Sequence, residues 1–68
     1  MNDQAVKASL DRFMKKVNFT AHREIEKAIR NALANGTLKG HEAFMAGVTL
    51  TSEKVGLDIT LYTKIELT

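Results

Sequence analysis

Two histidines stand beside carboxylates in this 68-residue chain: His22 lies four residues before Glu26, and His41 directly precedes Glu42. On a helix the first pair would share a face, and imidazole next to carboxylate is the material of a metal site. A metal site, however, needs three or four converging ligands, and two-residue matches are nonspecific. His22 falls toward the edge of an apolar stripe, near Ile29 and Leu33, and is expected to be semi-buried and structural. Nucleophilic catalysis would require Ser9, Ser52 or a threonine beside a histidine and an orienting acid, and none sits in such a pattern. Gly36, Gly40, Gly47 and Gly56 match neither a dinucleotide fingerprint nor a phosphate-binding loop. With no cysteine, thiolate chemistry and disulfide scaffolds are excluded. No catalytic residue, metal ligand or cofactor site is assigned, and the chain is expected not to be an enzyme.

The remaining chemistry is electrostatic. Residues 1–40 carry eight Lys and Arg against four Asp and Glu, a net of +4, and residues 41–68 carry two against four, a net of −2. Arg23, Lys27 and Arg30 form a strip of the kind that phosphate contacts need. With Arg12, Lys15 and Lys16 they make the candidate nucleic-acid-binding set. Glu24 and Glu26 border the strip, and Glu26 can pair with Arg30. Of the aromatics only Tyr62 is expected to be exposed, which leaves little for base stacking. The charged face is therefore read first as solvated surface, and nucleic-acid binding as the alternative.

The elements that must position these residues follow from periodicity. Val6, Leu10, Phe13, Met14 and Val17 form one stripe at helical spacing, and Ala21, Ile25, Ala28, Ile29, Ala32 and Leu33 form another. The stretch Val17-Asn18-Phe19-Thr20 departs from the period, with Thr20 a candidate N-cap. Two helices are therefore expected, over about 3–17 and 20–35, the first capped by Asn2 or Asp3 and the second closed at Asn35-Gly36. The period then changes to two. Phe44, Ala46, Val48 and Leu50 alternate with Met45, Gly47, Thr49 and Thr51. Leu57, Ile59, Leu61, Ile65 and Leu67 alternate with Asp58, Thr60, Tyr62, Lys64 and Glu66, Thr63 being the one polar gap in the apolar series. Strands are expected over about 44–51 and 57–67, joined by a Ser52–Gly56 turn. The linker 37–43 would have Gly40 as its flexible point. The order helix, turn, helix, hairpin resembles the latter part of a winged helix, although the turn lacks glycine and a third helix is missing.

The expected fold is α+β: two amphipathic helices followed by a two-stranded antiparallel hairpin (ααββ), one domain over residues 1–68. A lone hairpin is marginal in water, and its edges carry no proline guard. Edge-to-edge pairing with a second copy, giving a homodimer, is the expected completion. The alternative is a monomer whose edges are shielded by loops or by the charges of Lys54, Lys64 and Glu66, and a protein partner is also open. Thr49, Thr51, Thr60 and Tyr62 should share the outward sheet face, where threonine and tyrosine are ordinary strand formers. No apolar run approaches the length of a membrane span or a signal peptide, so a cytoplasmic, soluble protein with no membrane partner is expected.

The stretches H-R-E-I-E-K-A-I-R-N-A-L-A-N-G-T-L-K-G at residues 22–40 and V-T-L-T at 48–51 resemble a family of short proteobacterial proteins classed as a domain of unknown function. The resemblance implies a bacterial cytoplasmic setting. It implies no activity and no site residue.

Overall fold

The computed structural model describes residues 1–68 as one helix, α1 (Asp3–Ala34), and two strands, β1 (Ala43–Ser52) and β2 (Leu57–Glu66). These fall into two compact units, Met1–Thr37 and Leu38–Thr68, which are described in turn.

The first unit is a single helix of 32 residues, and this corrects the expectation of two helices. Thr20 is not an N-cap; it lies in the helix interior. The physical reason is that no glycine or proline occurs between Asp3 and Ala34. The residues that depart from the pattern, Asn18, Phe19 and Thr20, each cost only a few tenths of a kcal/mol as helix formers. Breaking the helix there would orphan four carbonyls on one side and four amides on the other, and a second nucleation would have to follow. The stripe also runs on without a break. Leu10, Met14, Val17, Ala21, Ile25, Ala28 and Ala32 recur at spacings of four, three, four, four, three and four. This eleven-residue repeat drifts little against a 3.6-residue turn, so the stripe runs almost straight along the rod.

Both ends are capped by side chains. The Asn2 side-chain oxygen accepts from the Ala5 amide at 3.0 Å, with Asp3 in the first turn where the helix dipole favours negative charge. At the other end Asn35 is the C-cap, its amide donating to the Asn31 carbonyl at 3.0 Å. Gly36 follows at φ 83°, in the left-handed region that stops helices. The Asn35 side chain then accepts from the Thr37 amide at 3.0 Å and from its hydroxyl at 2.7 Å, turning the chain out of the helix.

In the second unit β1 and β2 pair antiparallel, with Ala43 opposite Glu66 and Ser52 opposite Leu57. The strand limits agree with the sequence expectation to within one residue, except that Ser52 closes β1 instead of opening the turn. Gly56 reverses the chain at φ 66°. The register sorts the side chains by face. Phe44, Ala46, Val48 and Leu50 lie opposite Ile65, Thr63, Leu61 and Ile59 on one face. Met45, Gly47, Thr49 and Thr51 lie opposite Lys64, Tyr62, Thr60 and Asp58 on the other. The Thr49 and Thr60 hydroxyls are 3.0 Å apart, a cross-strand hydrogen bond on the polar face.

Within neither unit is any side chain fully buried. Along α1 the most covered residues are Val17, Ala21, Ile25, Ile29 and Ala32, all half-buried. On the apolar face of the hairpin Phe44, Ala46, Val48 and Leu50 of β1 are half-buried, whereas Leu57, Ile59 and Leu61 of β2 are 43%, 44% and 55% exposed.

Candidate functional site

Because α1 is continuous, all six residues of the candidate nucleic-acid set stand on one rod. At about 100° per residue, Arg12, Lys15, Lys16, Arg23, Lys27 and Arg30 fall within about 120° of its circumference, opposite the apolar stripe. From Arg12 to Arg30 the set spans about 27 Å at 1.5 Å per residue. Two separate helices would have split it.

The set is only partly free. Arg30 pairs with Glu26 one turn back, Arg23 donates to Glu24 at 3.3 Å, and Arg12 donates to the Ser9 hydroxyl at 3.2 Å. Lys15, Lys16 and Lys27 make no ion pair. Exposed pairs of this kind contribute at most about 1 kcal/mol each, so an incoming phosphate could displace them.

One residue of this face escaped the sequence reading. Phe19 projects among the cations with 67% of its surface exposed, and the Arg23 guanidinium lies 5.6 Å from its ring centroid. A shallow open groove runs past it, lined by Lys15, Phe19, His22, Arg23 and Lys27 among others. The signal was available: once Val17 and Ala21 are read as consecutive members of one stripe, Phe19 falls on the opposite side. Tyr62 is therefore not the sole exposed aromatic, since Phe13 on the apolar stripe is also exposed.

His22 is a second correction. Its side chain is 78% exposed and lies 3.7 Å from the Glu26 carboxylate, not semi-buried against Ile29 and Leu33. With no covering layer within the helical unit, the margin of the stripe is open to water.

The other His–Glu pair resolves into backbone structure. The Glu42 carboxylate turns back on the linker and accepts from three successive amides. Lys39 donates to both oxygens (3.0 and 2.9 Å), and Gly40 and His41 donate to one of them at 2.8 and 3.1 Å. These bonds, Lys39 foremost, hold the Glu42 carboxyl down at a pKa of about 2. Gly40, expected as a flexible point, is tied at its amide. No group of three His, Cys, Asp or Glu residues comes together in the chain.

A long amphipathic helix with a basic face opposite its apolar stripe, followed by an antiparallel hairpin, defines a small α+β protein. The chain belongs to the family of unknown function DUF6494, whose profile matches residues 1–68. No curated protein and no solved structure matches it. The family resemblance seen in residues 22–40 thus has a structural content. Asn35, Gly36 and Thr37 end the helix, and Lys39 and Gly40 hold the Glu42 carboxylate. No helix of the chain is long and apolar enough to cross a membrane.

Proposed function

We propose that the protein is a non-enzymatic interaction module of the bacterial cytoplasm that works as a homodimer joined through a β-strand edge. The observation that carries this reading is the openness of the hairpin. Leu57, Ile59 and Leu61 of β2 stay about half exposed on its apolar face. The two strands form a sheet with no third member. A two-stranded hairpin is marginal by itself, and a ten-residue edge with no proline or bulge is a ready template for another strand. Joining two copies would give a four-stranded sheet. Sedimentation equilibrium of the full chain at micromolar concentration tests the reading. The expected mass is twice 7.6 kDa, and a monomer throughout the range would overturn it.

Phe19 favours a second reading, nucleic-acid binding along α1. A ring set among Lys15, Arg23 and Lys27 combines the stacking surface and the phosphate-neutralising charge that single strands require. A salt titration with generic single-stranded and duplex DNA tests it. Binding should weaken steeply with salt and fall about tenfold or more for Phe19→Ala on the single strand. Undetectable binding at low salt would remove it.

A further inference from the structure

The outer edge of β2 carries backbone groups and side chains that suit pairing with a second copy of itself. The Leu67 amide donates to the Glu42 carbonyl at 3.3 Å, one step beyond the last pair of the ladder. Antiparallel hydrogen bonding alternates along a strand. The odd-numbered residues of β2 therefore bond to β1, and the amides and carbonyls of Asp58, Thr60, Tyr62 and Lys64 face the free edge.

Self-pairing of this edge has few admissible registers. An odd shift would set the apolar face of one copy beside the polar face of the other, so only registers that pair like faces survive. Of these, the one centred on Tyr62 places Asp58 opposite Glu66, two like charges. The one centred on Thr60 carries Lys64 past the end of the strand to Gly56. The register centred on Leu61 places Asp58 of each copy opposite Lys64 of the other, twice over. It also sets Thr60 opposite Tyr62, Leu57 opposite Ile65, and Leu61 opposite its own counterpart. These pairs are chemically matched, and Ile59 opposite Thr63 is the one mixed pair within the strand. The edge of β1 offers no such selection, because Ala43–Ser52 contains no charged residue.

Resting on the homodimer reading above, we infer that two copies join through β2 in an antiparallel register centred on Leu61, with reciprocal Asp58–Lys64 pairs fixing it. The strand order is β1-β2-β2-β1, and the partially exposed Leu57, Ile59 and Leu61 become the middle of the sheet. Lys64 lies 3.4 Å from Glu66 in the free hairpin. An Asp58 arriving from the second copy therefore joins a cation that already sits on this face.

The absence of cysteine from the chain makes the test clean. Single-cysteine variants Thr60→Cys, Leu61→Cys and Tyr62→Cys are oxidised mildly, and the mass of each is also measured under reducing conditions. Leu61→Cys should give the disulfide-linked dimer, since residues at the axis directly oppose each other. Independently, Asp58→Lys and Lys64→Asp should each weaken association about tenfold by creating two like-charge pairs, and the double exchange should restore it. A dimer that crosslinks through position 60 or 62, or that ignores the charge exchanges, overturns the register and leaves the dimer reading standing. A monomeric chain overturns both. Circular dichroism of the charge variants shows whether a loss of association comes from loss of the hairpin.

Discussion

The ring of Tyr62 lies flat across Gly47, its cross-strand partner. A β-carbon built on Gly47 would sit 2.6 Å from Tyr62 Cε1 and 2.9 Å from Cδ1. Gly47 does not have a positive φ, so it is glycine because of space and not because of backbone conformation. Gly47→Ala should swing the exposed ring away and destabilise the hairpin by about 0.5–1 kcal/mol, the range for a cross-strand pair. In a Tyr62→Ala background the same change should become neutral or stabilising, because alanine restricts the unfolded chain. Tyr62 is the only tyrosine and there is no tryptophan, so tyrosine fluorescence during urea unfolding reports on the single variants that keep it, and circular dichroism on the rest.

Gly56 presents the opposite case. Nothing lies within 4 Å of a β-carbon placed there, but its φ is +66°. Gly56→Ala should cost about 1 kcal/mol through backbone strain alone. Gly56→Asn should recover part of that, since asparagine tolerates the left-handed region. Thermal unfolding of the three proteins checks the order.

Thr20 distinguishes one helix from two by the sign of a single substitution. As an N-cap, Thr20→Ala would cost about 1 kcal/mol. In the interior of α1, where it stands, the same change should gain up to about 0.5 kcal/mol from helix propensity. The true cap is Asn2, and Asn2→Ala should cost about 1 kcal/mol at the helix start. Helicity at 222 nm during thermal unfolding measures both.

Glu42 makes the linker acid-sensitive. Its carboxyl is lowered from 4.5 to about 2 by amides, Lys39 foremost, that bond the charged form more strongly than the neutral one. A carboxyl with a depressed pKa stabilises the fold fully above its unfolded value and loses that contribution as pH falls through its folded one. The linker should therefore hold above about pH 4.5 and loosen between there and about pH 2. Amide exchange at Gly40 and His41, followed by NMR, should show the change. Glu42→Gln should exchange faster at neutral pH and lose this pH dependence.

The hairpin was legible in the sequence nearly to the residue, because a period of two over ten residues has only one structural meaning and Gly56 marks its return. The helix ends were legible as well, at Asn35-Gly36 and, within one residue, at Asn2 or Asp3, of which Asn2 is the cap. The join at residues 17–20 was not. Its departure from the stripe is real in composition, since Phe19 breaks the apolar pattern. It is not real in backbone energy, where three ordinary residues weigh less than two uncapped helix ends. That misreading hid Phe19 on the basic face and placed His22 against a margin that is open to water.

The sequence by itself determined the identity and limits of the strands, the end of the helix at Asn35-Gly36, the absence of thiol chemistry and the charge of each half, because these depend on local periodicity and side-chain type. Tertiary structure decided the rest. It merged the two stripes into one rod, which aligned Arg12, Lys15, Lys16, Arg23, Lys27 and Arg30 on a single face. It turned Glu42 onto three backbone amides and laid Tyr62 over Gly47. Such relationships depend on where atoms from different positions converge, and spacing along the chain encodes that only through the fold.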